Sequence, residues 1–386
     1  MNRCARYLRL PGNVTSIRLA SSITGSPAAR DFRSDTVTTP TKSMFDAMAL
    51  SSLGDDGYGE DTTTNTFEHE IASSLGHEAG VFVASGTMGN QLATRSLLSR
   101  PPHSILGDHR SHILNWEAGG AASLSQAMTQ SIVPRNGVYL TLEDIQRSVI
   151  ISDDVHDAPT RLIALENTLG GAIMPLAEVQ KISAFARSRG IKLHLDGARL
   201  WHAVAAGAGT LKEYGSAVDT VSLCFSKGLG APIGSVLVGS AITIKHARWV
   251  RKSVGGGMRQ IGILVNAAKS ALAENFPERL VATHVKAKYI EERLFELGVK
   301  TVLPVDTSML FLDLEGAGIQ SSWLVEEGAK RGLRLGEGGR IVVHHQISDE
   351  AVTSLIETVE AVLQQKREGK RVSGNKEERQ YGAMNH

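Results

Sequence analysis

Through the middle of the chain, short apolar runs alternate with stretches whose apolar residues recur every three or four positions. "GVFVASG" (80–86) precedes "TMGNQLATRSLLSR" (87–100), and "HSILGD" (103–108), "RLIALEN" (161–167), "IKLHLDG" (191–197), "TVSLCFSK" (220–227) and "GSVLVG" (234–239) follow, with "PLAEVQKISAFARSRG" (175–190) between two of them. Runs apolar on both faces, joined by amphipathic crossovers, predict an α/β fold: buried strands of a largely parallel sheet with helices on either side. From about residue 260 the pattern is helical over 262–298, then gives "SMLFLDL" (308–314), "RGLRLGE" (331–337), "RIVVHH" (340–345) and a closing helix over 348–365. That order predicts a smaller α+β domain with three short strands. The expected division is an N-terminal extension (1–30), a large α/β domain (31–255), a helical connection with the small domain (256–365) and a polar, solvated tail (366–386).

With 386 residues, 42% of them hydrophobic, the chain can fill more than one core. Lysine and arginine number 41 against 40 acidic residues, so there is no basic field of the kind nucleic acids require, and no nucleic-acid partner is expected. Apolar stretches such as "SVLVGSAITI" (235–244) fall well short of a bilayer span, and the only cysteines are Cys4 and Cys224. Neither a membrane anchor nor a disulfide framework is expected. Residues 1–30 hold five arginines, several serines and no acid, a composition shared by mitochondrial transit peptides and by unstructured extensions. Cytoplasm and mitochondrial matrix both stay open.

In an open parallel sheet, ligands gather at the carboxyl ends of the strands. Those positions carry Ser85-Gly86-Thr87, Asp108, Glu166-Asn167, Asp196 through Arg199, and Ser226-Lys227. "SGTMGN" (85–90) opens a predicted helix after a strand, where free N–H groups and the helix dipole favour a phosphate. As a dinucleotide fingerprint it is incomplete, which counts against a nicotinamide-dependent oxidoreductase, although Asp108 stands where a ribose-binding acid would. Asp196 ends a buried strand and needs a partner, which a protonated heteroaromatic nitrogen would supply; Lys227 follows after the next strand. A phosphate cradle, a strand-end acid and a strand-end lysine are together the parts that hold pyridoxal 5'-phosphate. "HRSH" (109–112) has helical spacing but no accompanying ligand set, so no metal is expected.

At these motifs the chain resembles the L-threonine aldolases, of the aspartate-aminotransferase-like fold type I. The resemblance runs from "DFRSDTVTTPT" (31–41) through "GDDGYGED" (54–61), "SGTMGN", "HILNWEAGGAA" (112–122), "LENTLGG" (165–171), "HLDGARLWHA" (194–203), "SLCFSKGLGAPIGSVLVG" (222–239) and "RKSVGGGMRQ" (251–260) to "RIVVHH". It implies a mostly parallel seven-stranded sheet, a pyridoxal phosphate cofactor, and cleavage of a β-hydroxy-α-amino acid to glycine and an aldehyde. By position it implies that Lys227 carries the cofactor, Asp196 meets its ring nitrogen, Gly86 and Thr87 touch its phosphate and His112 stacks on its ring. His156 matches a second histidine near the substrate hydroxyl; Ser34, Arg199 and Arg340 match the group receiving the substrate carboxylate. Lys252 and Arg259 match residues contributed across a subunit interface, which implies a homo-oligomer, expected to be a homotetramer. The base is left open among His112, His156 and a water. Fungal amino-acid racemases that resemble the same family are the rival reading, since they would share the lysine and the arginines.

Overall fold

The computed structural model describes residues 25–371, so most of the leader reading and most of the tail fall outside the described residues. Seven strands form the main sheet: β1 (Ala79–Val83), β2 (Ser104–Asp108), β3 (Met128–Ile132), β4 (Thr160–Glu166), β5 (Lys192–Gly197), β6 (Thr220–Cys224) and β7 (Ser235–Gly239). Their order is β1-β7-β6-β5-β4-β2-β3. All neighbours run parallel except β7, which is antiparallel to both β1 and β6. The reversal follows from the connection: β6 returns into β7 through the turn 225–234, too short for a helical crossover.

Side chains alternate across this sheet. Val81, Val83 and Leu237 join Leu92 of the helix Gly86–Leu97 and Ile244 and Ala247 of the helix Ala241–Ser253 in one cluster. Phe82, Val236 and Val238 face the opposite side, in the large cluster that also holds Leu193, Leu195 and, from the helix Leu176–Ser188, Val179 and Ile182. Every residue of β2, β6 and β7 is buried, which is why these strands read as unbroken apolar runs.

Helices Gly262–Asn275 and Glu278–Glu296, interrupted at Phe276-Pro277, lead to the small domain. There β8 (Met309–Phe311) pairs antiparallel with β9 (Arg340–Val342). The third expected strand, "RGLRLGE", forms no ladder: Arg334 makes one isolated bridge with Asp31 while Leu333 and Leu335 fill the small core. Phe32, expected with the large domain, is fully buried in that second core, and its backbone bonds Arg334 and Val342. The closing helix Asp349–Arg367 takes in residues 366 and 367, which the sequence reading gave to the tail. Among the described residues no helix is long and apolar enough to cross a membrane.

Candidate active site

The carboxyl ends of β4, β5 and β6 open into a cleft of about 200 Å³ between the large and small domains. Ser34, His112, Glu166, Arg199, Lys227 and Arg340 supply polar groups to its lining, and Trp116, Leu169, Leu303, Met309 and Phe311 an apolar wall. Of the residues singled out from sequence, Ser34, His112, Arg199, Lys227 and Arg340 thus meet in one cavity, drawn from both domains.

Each is positioned by its element. Lys227 stands just past β6, where the chain leaves the sheet, in a turn closed by a bond from Gly230 N to Lys227 O of 2.8 Å. Asp196 is buried near the end of β5, in register with Glu166 on β4. Asp196 Oδ1 accepts from Ala198 N at 2.9 Å, and Oδ2 accepts from Asn90 Nδ2 at 2.7 Å. The same Nδ2 donates to Glu117 Oε1 at 2.8 Å, and that oxygen also meets His112 Nδ1 at 2.9 Å. Ligand atoms of His112, Glu117 and Asp196 lie within 4.8 Å of one another. The Asn90 amide donates into the space between the two carboxylates, so the group is a hydrogen-bonded relay rather than a cation site.

Electrostatics differ sharply among these groups. Burial, and then the Asp196 charge, push the Glu166 carboxyl up to about 7, against the His112 N–H that Oε2 accepts at 2.8 Å. For His112 burial opposes the charged ring, but the Glu117 hydrogen bond and the Asp196 field outweigh it and hold the imidazole above its ordinary value. Asp35 donates nothing and accepts twice, from Arg199 Nε at 2.9 Å and Nη2 at 2.6 Å. Burial works against its charge, yet Arg199 holds it well below the usual carboxylate range. The sequence reading gave Arg199 to the substrate carboxylate; two of its donors are committed to Asp35. Arg340 brings a second guanidinium from β9, pulled down to about 10 by burial and by the neighbouring Arg199 charge.

Gly86 and Thr87 begin the helix Gly86–Leu97, whose N-cap Ser85 accepts from Met88 N at 3.1 Å. Nearby, Ser235 Oγ is buried without a hydrogen-bond partner, 3.8 Å from where a Gly86 Cβ would stand. An open helix start, an unpartnered hydroxyl, a buried carboxylate and a cleft lysine form a donor set that fits a phosphorylated, ring-protonated aldehyde cofactor. Asp108, by contrast, is closed to a ribose: Arg110 takes Oδ1 at 3.0 Å and Oδ2 at 2.8 Å.

Gly86, Thr87 and Asp196 stand outside the cleft lining, Asp196 tied to it through Asn90, Glu117 and His112, and three further expected residues lie on the surface. His156 lies in the loop between the helix Leu142–Ser148 and β4, its side chain 88% exposed and its Nδ1 2.7 Å from Asp154 Oδ1. Lys252 and Arg259 are exposed, one before and one after the glycine-rich segment 255–257. Conversely, sequence reasoning assigned no role to Asp35, Asn90 or Glu117. All three sit inside motifs it quoted, beside residues it did assign.

The beta-eliminating lyase family model matches residues 31–317. The chain is 51% identical over 338 residues to the aldolase vrtJ of Penicillium aethiopicum, covering 87% of each. It is 44% identical to the alanine racemase TOXG of Cochliobolus carbonum, covering 86% of this chain and 87% of that one. With the low specificity L-threonine aldolase of Saccharomyces cerevisiae it shares 45% identity over 84% of each chain. The threonine aldolase structure from Leishmania major superposes with a TM-score of 0.74 at 20% identity, covering 86% of this chain and 99% of that one, and so shares the fold. The chain belongs to the beta-eliminating lyase family, in the company of fungal low-specificity L-threonine aldolases.

Proposed function

We propose that this chain is a pyridoxal-phosphate-dependent aldehyde-lyase that cleaves the Cα–Cβ bond of β-hydroxy-α-amino acids, L-threonine and L-allo-threonine among them, to glycine and an aldehyde. The observation that carries this reading is the meeting of Lys227, Arg199 and Arg340 in one cleft, beside a strand end where Asp196 is buried next to Glu166. Bound there, the cofactor would supply a ring that draws electrons from the substrate Cα. Lys227 is the amine that holds it and that takes up or returns a proton at Nζ. Asp196 would hold the ring nitrogen, and the start of the helix Gly86–Leu97 with Ser235 would hold the phosphate.

Arg340, with Arg199 fixed beside it by Asp35, binds the substrate carboxylate and so sets which Cα bond is aligned for cleavage. His112 keeps Nδ1 on Glu117, leaving Nε2 to take the hydroxyl proton directly or through a water. The wall of Trp116, Leu169, Met309 and Phe311 receives the Cβ substituent and keeps bulk water out. The functional unit is a homo-oligomer, a homotetramer in this reading, in which Lys252 and Arg259 approach a neighbour's cleft.

The resemblance to an alanine racemase favours one second reading, exchange of the Cα proton by Lys227 without carbon–carbon cleavage. A coupled aldehyde assay with L-threonine and L-allo-threonine, run beside a D-alanine assay on L-alanine, separates the two. Acetaldehyde release supports the lyase. D-alanine without aldehyde transfers the assignment to the racemase, and a purified protein that takes up no pyridoxal phosphate overturns both.

A further inference from the structure

Asn90, on the helix Gly86–Leu97, is fully enclosed and reaches three partners, two on β5 and one, Glu117, in the segment before the helix Gly120–Ser125. Its Nδ2 lies 2.7 Å from Asp196 Oδ2 and 2.8 Å from Glu117 Oε1; its Oδ1 lies 3.0 Å from His194 Nε2. His194 Nδ1 in turn lies 2.8 Å from Thr220 Oγ1. His194 and Asp196 are two residues apart on β5 and therefore share one face of the sheet, and His194 is in register with Thr220 on β6.

The donor pattern along this chain has one solution. Two carboxylate oxygens beside one amide atom require that atom to be the NH2, with one hydrogen for each. Oδ1 is then the acceptor, so His194 Nε2 carries the hydrogen. Burial pulls the His194 pKa down to about 4, so the ring is neutral near pH 7 and its Nδ1 accepts from the Thr220 hydroxyl. Thr220 thus sets the His194 tautomer, His194 sets the Asn90 amide, and Asn90 sets two carboxylates that would otherwise face each other without a shared donor.

Those carboxylates serve different groups. Asp196 is the acid for the cofactor ring, and Glu117 holds the His112 imidazole. We propose that Asn90 is a positioning residue that registers Asp196 against the Glu117–His112 pair, with His194 and Thr220 as its support. The proposal rests on the cofactor reading above. A merely structural Asn90 would fill space in the helix packing, and its loss would lower stability while leaving cofactor affinity and spectrum alone.

The test compares wild type, Asn90→Ala and Thr220→Val. Pyridoxal phosphate is titrated into cofactor-free protein, its dissociation constant is measured, and the visible absorption of the loaded protein is followed against pH, with circular dichroism to establish folding. Asn90→Ala is expected to bind at least tenfold more weakly and to move the pH midpoint of the visible band by at least half a unit. Thr220→Val, which keeps the volume but removes the hydroxyl donor, is expected to move both in the same direction by a smaller factor. Folded Asn90→Ala with wild-type affinity and midpoint overturns the proposal. Where Asn90→Ala does not fold, Thr220→Val decides, and unchanged values there overturn it equally. Wild type that binds no pyridoxal phosphate removes the cofactor reading itself and the proposal with it, an outcome distinct from unaffected variants.

Discussion

Lys227 concentrates the chemistry in one side chain, since it is the lysine that lines the cleft. Lys227→Ala is expected to lower aldehyde release by about a thousandfold or more, because the covalent attachment and a proton carrier are lost together. The same variant should lack the visible absorption of the loaded wild type; a retained band with most of the turnover would assign the amine elsewhere. Lys227 and Asp196 were legible in sequence because an α/β chain delivers strand-end residues to one edge, so their order along the chain nearly gives their meeting place, whereas His112 and Arg340 were named by motif resemblance alone. The partners of these residues were not legible. Arg199 meets Asp35 across 164 positions, and Asn90 meets Asp196 across 106, distances at which only the finished sheet can bring side chains together. His156 shows the converse, since a motif match locates a residue along the chain but not on which side of a loop its ring lies.

Among the elements, the turn after β6 is braced from both sides. A Cβ on Gly228 would come within 2.2 Å of His202 Nε2 and 3.1 Å of Cδ2 and Cε1; the ring is itself held by His284 Nε2, 2.8 Å from His202 Nδ1. On the other side His345 Nδ1 lies 3.2 Å from Gly228 O. Gly228→Ala is therefore expected to cost about 1–3 kcal/mol in urea unfolding and to displace Lys227 enough to weaken turnover more than tenfold. Adding His202→Ala should restore a substantial part of both losses, whereas equal loss in the double variant would mean that the turn resists alanine for its own backbone reasons. The six apolar strand runs were legible because both faces of them are buried. β3, "MTQSI", was not: it is the sheet's edge, mostly exposed, and carries polar residues that imitate a loop. "RGLRLGE" misled in the opposite sense, since its alternating leucines mark burial in the small core without strand pairing.

At the scale of the whole molecule, several buried histidines govern how the fold responds to acid. Burial pulls His194 down to about 4, and burial with the adjoining His284 pulls His202 to about 3; burial with His344 pulls His345 to about 4. Their unfolded counterparts protonate near 6.5. Between about pH 6.5 and 4 the unfolded chain therefore binds protons that the folded chain refuses, and stability falls as pH falls through that window, by up to about 1.4 kcal/mol per pH unit for each such histidine. Urea midpoints measured at pH 7, 6, 5 and 4.5 should decline steadily, and a flat profile would show that these rings protonate in place. Assembly is the other molecular property at stake. Tyr58, Ile242 and Trp249 expose large apolar surfaces; Trp249 and Lys252 share the C-terminal end of the helix Ala241–Ser253, and Arg259 O accepts from Asp56 N, two residues from Tyr58. Mixing Lys227→Ala subunits with Arg259→Ala subunits should regenerate aldolase activity, because some hybrids then hold one intact site; folded hybrids with no activity would confine Arg259 to its own subunit.

The segment 28–35 ties the small core to the large domain. Ala28, Ala29 and Phe32 are buried, Phe32 is stitched by backbone to Arg334 and Val342 of the small domain, and three residues later Asp35 grips Arg199 of the large one. A single proteolytic nick between Phe32 and Asp35 would uncouple the two halves of the cleft while leaving the seven-stranded sheet intact. The chain would then keep its bulk and its cofactor lysine but lose the covalent tie between Phe32 in the small core and Asp35 on Arg199, the guanidinium that shares the cleft with Arg340.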